Sequence, residues 1–325
     1  MKLRRRTFLH LSACAALLPA MPRAASALDY PTRPVRIIVG FPPGGGVDIA
    51  ARLVGQWLSE RLGQSFVVEN RPGAASNVAT EAVVRAAPDG YTLLLAFSVN
   101  AINATLYDNL KFNFIREIAP VAAIIREPDV MVVNPSVPAG TVAEFIAYAK
   151  ANPHRLNMGS GGTGTPSHVN GELFKMMTGT DVVHVPYRGI SPALTDLLGG
   201  RVQIMFASTS SSIGYIKTGK LRALAVTTTT RSEQLPDVPT VADVVPGFEA
   251  SLWYGVGAPE TTPAEIIDKL NKQINAGLAE PTLKARFADL GGTVITGSPA
   301  DFAKLIADDT EKWAKVIKFA NIKAE

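Results

Sequence analysis

The sequence predicts an α/β protein with largely parallel sheets, built as two lobes with a cleft between them. From Val35 onward, short apolar runs alternate with amphipathic segments, the pattern of βαβ units. Glycine-rich loops at residues 41–48 and 159–166 each join such a run to a helical segment, one in each half of the chain. Apolar strand-like segments near 126–130 and 250–257, bordering Pro128 and Pro259, read as crossings between the halves.

Residues 35–40 are the first strand. Ile49, Leu53, Trp57, Leu58 and Leu62 then recur at helical spacing until Gly63 stops the helix, and 66–69 make the second strand. Asn70-Arg71-Pro72-Gly73 turns the chain, and a helix over 78–86 leads through Pro88-Asp89-Gly90 into a third strand, 91–97. The stretch that follows, with Ser98, Asn100 and Asn103, reads as a polar loop able to contact a ligand from the first lobe. The second half repeats the grammar: helix 142–151, strand 156–158, the second glycine loop, helix 169–177 and strand 182–185. Helix 192–198, strand 203–206, helix 213–217 and strand 223–226 follow, and helices 264–278 and 299–319 close the chain.

Residues 1–27 read as an export signal, with Arg4-Arg5-Arg6, an apolar stretch from Phe8 to Leu18 and an Ala25-Ser26-Ala27 cleavage site. Arg5-Arg6-Thr7-Phe8-Leu9 resembles a twin-arginine motif, so Tat and Sec routes both stand. Either delivers a soluble protein to the periplasm. Leu11-Ser12-Ala13-Cys14 is a weaker lipoprotein reading. Removing this segment takes away Lys2, Arg4, Arg5, Arg6 and Arg23 and no acid, so the mature chain has one more acidic than basic residue. The basic character of the precursor therefore gives no reason to expect nucleic acid as a partner. The lone cysteine leaves with the signal, which excludes a disulfide or thiolate site in the mature chain.

Each glycine loop aims backbone N–H groups and the positive end of a helix dipole at one point, a seat for a carboxylate or phosphate. In the first, Pro42 and Pro43 remove donors and fix φ, while Gly44, Gly45 and Gly46 let a ligand approach the backbone. Asp48 is either an ordinary helix cap there or part of the seat. In the second, Thr165 fits the N-cap and Pro166 the first helical position, leaving the Ser167 and His168 amides at the loop mouth. Ser160, Thr163, Thr165 and neutral His168 add side-chain donors. Gly159, Gly161 and Gly164 spell G-x-G-x-x-G, but the following strand ends in His184-Val185-Pro186 without the acid that reads a ribose, so no nicotinamide cofactor is expected, nor any other. His154, His168 and His184 lack paired metal-ligand spacing. Ser160 with His168 would suit a hydrolase, although Gly159-Ser160-Gly161 lacks the G-x-S-x-G elbow. Tyr187-Arg188-Gly189 should share the sheet edge of the second loop, Tyr187 as a wall and Arg188 either neutralising a second carboxylate or lying on the surface.

Phe41-Pro42-Pro43-Gly44-Gly45 with Asp48, Asn70-Arg71-Pro72-Gly73-Ala74, Pro88 through Leu94, Gly159 through His168, Val185 through Gly189 and Gly199-Gly200-Arg201-Val202 occur in order. This set resembles the Bug family, the periplasmic solute receptors of tripartite tricarboxylate transporters. The resemblance implies a type II periplasmic-binding-protein fold, a Venus flytrap that holds one small organic acid without chemistry, presents it to membrane permease subunits and works as a monomer. Lobe 1 is then 28–128 plus 251–325, and lobe 2 is 129–250. It nominates Phe41, Gly44 and Asp48 in one lobe and Ser160, Gly162, Thr163, Gly164, Thr165 and His168 in the other. Pro43, Ser98, Asn103, Tyr187, Arg188, Ala207 and Ser208 complete the expected ligand-binding set. Two departures matter: Ala75-Ser76 stands where the family often has Gly-Gly, and Ala207-Ser208 where it often has Asp or Asn. The second favours a di- or tricarboxylate or an aromatic carboxylate over an amino acid. A ligand sensor for a two-component system, or a periplasmic serine hydrolase using Ser160 and His168, are the alternative functions.

Overall fold

The computed structural model describes residues 29–107 and 109–324. The export signal expected over residues 1–27 lies outside them. The first half runs β1 (Val35–Val39), α1 (Gly46–Leu62), β2 (Phe66–Asn70), α2 (Asn77–Val84), β3 (Thr92–Phe97), α3 (Ser98–Leu106) and α4 (Phe114–Glu117). β4 (Ile118–Val133) leads to α5 (Val142–Ala151), β5 (Asn157–Ser160), α6 (Pro166–Thr178), β6 (Val183–Pro186), α7 (Ile190–Leu198), β7 (Ile204–Ser208), α8 (Thr209–Lys217) and β8 (Arg222–Val226). β9 (Ser251–Pro259), α9 (Ala264–Ala279), α10 (Pro281–Asp289), β10 (Thr293–Val294) and α11 (Pro299–Phe319) complete the chain.

The strands order as β2-β1-β3-β9-β4-β7-β5-β6, with β8 and β10 also on β4. Each flank is parallel, β2-β1-β3 on one side and β7-β5-β6 on the other. β9 and β4 join the flanks in antiparallel pairing. β4 changes partners beside Pro128. Up to that residue it pairs with β9, ending at Pro128↔Ser251, and from Asp129↔Ser208 it pairs with β7. Proline has no N–H to offer a ladder, so it suits a point where pairing switches.

The stretch expected as a polar loop after β3 is helix α3. Asn100 accepts the Phe97 N–H at 2.8 Å, and Ile102 and Leu106, one turn apart, are buried in the core of the second half. That core also receives Trp313, Val316 and Ile317 from α11. A second departure is α10, where Phe287 is the buried residue and the apolar period is too weak to announce a helix.

Gly73, Ala74, Ala75 and Ser76 all have positive φ, from 45° to 143°, just before α2. Without a side chain at Gly40 the end of β1 lies against this turn; an added Cβ would sit 2.0 Å from Ser76 Oγ. The left-handed region is costly for alanine and cheap for glycine. Ala75→Gly is therefore expected to stabilise the protein by about 0.5–1 kcal/mol, net of the entropy glycine loses. Urea unfolding measures this, and a lower midpoint would contradict the strained turn.

Candidate functional site

Asp48 is the third residue of α1 and nearly fully buried. Its Oδ2 accepts the Gly44 N–H and Arg52 Nε, each at 2.9 Å, and its Oδ1 accepts Arg52 Nη2 at 3.0 Å and Asn70 Nδ2 at 2.9 Å. Burial alone would raise its pKa, but the bonds from Arg52, Gly44 and Asn70 outweigh that and hold it below the usual value. Asp48 thus clamps the first glycine loop from behind. Asn70 Nδ2 also reaches Phe41 O at 2.9 Å, which fixes the residue before the prolines.

The second loop satisfies most of its own amides. Gly161 N–H donates to Ser167 Oγ at 2.9 Å, Gly162 N–H to Ser160 Oγ at 3.1 Å, Gly164 N–H to His168 Nδ1 at 3.0 Å and Thr165 N–H to Gly162 O at 3.2 Å. In the first turn of α6, Pro166 has no N–H, His168 N–H goes to Thr165 O, and Ser167 N–H meets no acceptor among the described residues. Because Gly164 donates to His168 Nδ1, the neutral ring carries its proton on Nε2, 3.7 Å from Glu172 Oε1.

Behind this loop the His168 and His184 rings stack with centroids 3.6 Å apart. Ser160 Oγ lies 2.6 Å from His184 Nε2, not against His168. Burial, then the neighbouring His168, depress the His184 pKa to about 3, so the pair is not charged through this ring near neutrality. Ser160 is fully buried, and among the described residues no carboxylate hydrogen-bonds His184. The Ser160–His168 pairing of the hydrolase alternative is not made: the serine hydroxyl meets His184 and braces the loop through it.

Two cavities, of about 340 and 280 Å³, share Phe41, Phe97, Gly161, Thr165 and Pro166 as walls. The larger adds Ala75, Val99, Tyr107, Gly162 and Thr163. The smaller adds Gly46 and Val47 at the start of α1, Ser167 at the start of α6, and Asp129, Phe206, Ser208, Ser210 and Tyr254. The first turns of α1 and α6 thus open onto one space. A further cavity of about 250 Å³, between residues 228–234 and 291–295 beside Arg126, meets neither glycine loop.

Of the expected ligand-binding residues, Phe41, Gly162, Thr163, Thr165 and Ser208 line these two cavities. Asp48, Ser160, Gly164 and His168 support the loops, and Tyr187 braces the second through its N–H on Ser160 O while its hydroxyl donates to Asp196 at 2.7 Å. Ser98 and Asn103 are buried in α3, where Asn103 Nδ2 holds Ala75 O at 2.7 Å. Pro43, Gly44 and Arg188 are exposed and line neither cavity. Ala207 is buried in a separate cluster with Val130, Met205 and Val226, because strand alternation sends Phe206 and Ser208 to the opposite face, where they line the cavity.

Sequence reasoning missed the floor of the smaller cavity. Glu127 and Asp129 flank Pro128 on β4, each at most 2% exposed. Glu127 accepts Tyr254 Oη at 2.6 Å and Ser210 Oγ at 2.9 Å; Asp129 Oδ2 accepts Asn170 Nδ2 at 2.6 Å, and its Oδ1 receives no bond from a described residue. Burial raises both pKa values, that of Asp129 well above the ordinary value because the Glu127 charge adds to it and Asn170 offsets only part. The signal lay in the charged stretch Arg126-Glu127-Pro128-Asp129, which interrupts an otherwise apolar run from Val121 to Val133. A raised carboxyl pKa costs stability above the unfolded value, and the cost vanishes as pH falls to that value. Asp129→Asn is accordingly expected to raise the melting temperature at pH 7, with the gain closing toward pH 4. Calorimetry at both pH values checks this; a variant less stable at pH 7 would contradict it.

Residues 50–322 match the family described as tripartite tricarboxylate transporter family receptor. The chain belongs to the tripartite tricarboxylate transporter receptor family. Among relatives of this receptor family, Protein BugT of Bordetella pertussis is 37% identical over 296 residues, covering 90% of this chain and 91% of BugT. Among solved structures, R. palustris Rpa4515 with adipate superposes with a TM-score of 0.82 at 37% identity, covering 90% of this chain and 99% of that one. MatC from Rhodopseudomonas palustris with bound malate gives 0.78 at 30% identity, covering 89% of this chain and 100% of its own. Like those solved structures, the chain has an α/β fold. Among the described residues no helix is long and apolar enough to cross a membrane, and no three metal-ligating side chains are grouped.

Proposed function

We propose that this receptor works in the periplasm, captures a small organic carboxylate in the cavities between the first turns of α1 and α6, and delivers it to the permease of a tripartite tricarboxylate-type transporter. One observation carries the reading: both helix N-termini open on one space, and the Ser167 amide there lacks an acceptor among the described residues. The adipate and malate held by the two structural relatives support a carboxylate as the ligand class. Lobe 1, residues 28–128 with 251–325, and lobe 2, residues 129–250, close on the ligand as a monomer, and β4 and β9 act as the hinge. The partner switch beside Pro128 supports that division. Closure is a population shift driven by contacts made only in the closed state.

A thermal-shift screen of mono-, di- and tricarboxylates and aromatic acids tests the reading. Ligand at about 100 times Kd should stabilise by about 2.7 kcal/mol and raise the melting temperature by several degrees. No shift with any carboxylate would overturn it.

A further inference from the structure

Among the described residues, the smaller cavity is lined by an acid and by no lysine or arginine. That acid, Asp129, is 2% exposed and stands directly across the strand pair from Ser208. The end of β7, Ala207-Ser208, where an acid was missing in the sequence, therefore has one beside it, supplied by β4. Asn170 occupies Oδ2 at 2.6 Å, leaving Oδ1 without a described donor. Beneath it Glu127 is also buried, and among the described residues no lysine or arginine pairs with either acid. A second carboxylate on the ligand would meet this buried acid pair with no basic side chain among the described lining residues to balance it, and would make ionising Asp129 costlier still. A cation on the ligand would supply the missing charge and the missing donor together, against aromatic walls formed by Phe97, Phe206 and Tyr254 that suit a cation.

We propose that Asp129 is a specificity-determining residue that receives a protonated amine, so that the ligand is an amino-carboxylate with its carboxylate at the α6 N-terminus and its ammonium at Asp129. This rests on the carboxylate-receptor reading and narrows it, reversing the preference for a non-amine acid drawn from Ala207-Ser208.

The test is calorimetric titration at pH 7 with matched sets: 4-aminobutanoate against pentanoate and glutarate, and glutamate, aspartate and lysine against the acids that carry a methyl or carboxylate in place of one ammonium. Wild-type protein should bind one amino acid at least about tenfold tighter than its counterparts, and Asp129→Asn should lose about that factor for the amine while the counterparts change by less than about twofold. A dicarboxylate or methyl counterpart binding tightest to the wild type would overturn the proposal while leaving the carboxylate receptor intact. So would an unchanged amine preference in folded Asp129→Asn. Failure of every acid, with or without an amine, would remove both readings. The wild-type ranking decides even if the variant does not fold.

Discussion

Phe206→Ala is expected to lower the unfolding free energy by about 3–5 kcal/mol, in the range of large aromatic truncations in cores. Phe206 is fully buried and packs against Phe174 and Phe248, with ring centroids 5.8 and 6.4 Å away. It is also a wall of the smaller cavity. The variant should therefore bind ligand more weakly even at temperatures where it is folded, because the floor between Asp129 and Ser208 loses its backing. Phe206→Leu, which keeps most of the volume, should recover most of the stability. Urea unfolding of both variants checks this, and a loss below about 1 kcal/mol for the alanine variant would contradict the packing described.

Trp253→Ala should cost a comparable 3–5 kcal/mol, by roughly the same cavity argument, with an added polar penalty. The ring lies edge-on to Phe302 at 5.4 Å, and its Nε1–H donates to Asp309 Oδ2 at 2.8 Å. Asp309 is in turn tied to Lys312 at 2.9 Å, and Lys312 to Glu249 at 3.0 Å, so α11 is fastened to the start of β9. Burial would lower the Lys312 pKa, but Asp309 and Glu249 outweigh that and raise it. Trp253→Phe keeps much of the packing and removes the donor, and should cost about 1–3 kcal/mol for the unpaired buried acceptor. Equal losses for the two variants would show that the bond to Asp309, not the volume, holds this corner.

The alternation of strand and helix was legible because each βαβ unit writes its period locally. Val35, Ile37 and Val39 in β1, or Leu53, Trp57 and Leu58 in α1, need no distant partner to be read. α3 was not legible, since Ser98, Asn100 and Asn103 favour turns in isolation and are held in a helix by Ile102 and Leu106 packing into the other half. At the site, Thr165-Pro166 announced the α6 N-terminus correctly as a local cap. What escaped was everything fixed by register. Whether Ala207 or Ser208 meets the cavity depends on strand parity, and Asp129 joins the site only through its pairing with a residue far along the chain. Arg188 illustrates the converse: adjacency to a site loop in sequence says nothing about which way an exposed turn residue points.

The central claim is that a ligand carboxylate sits at the α6 N-terminus between the two glycine loops. A crystal structure of the mature protein with the tightest acid from the thermal screen tests it most directly. A carboxylate oxygen should lie about 2.7–3.2 Å from Ser167 N, with the rest of the ligand between Phe41, Phe97 and Phe206. A ligand seated elsewhere, for instance in the cavity beside Arg126, or one leaving Ser167 N–H without a partner, would contradict the account.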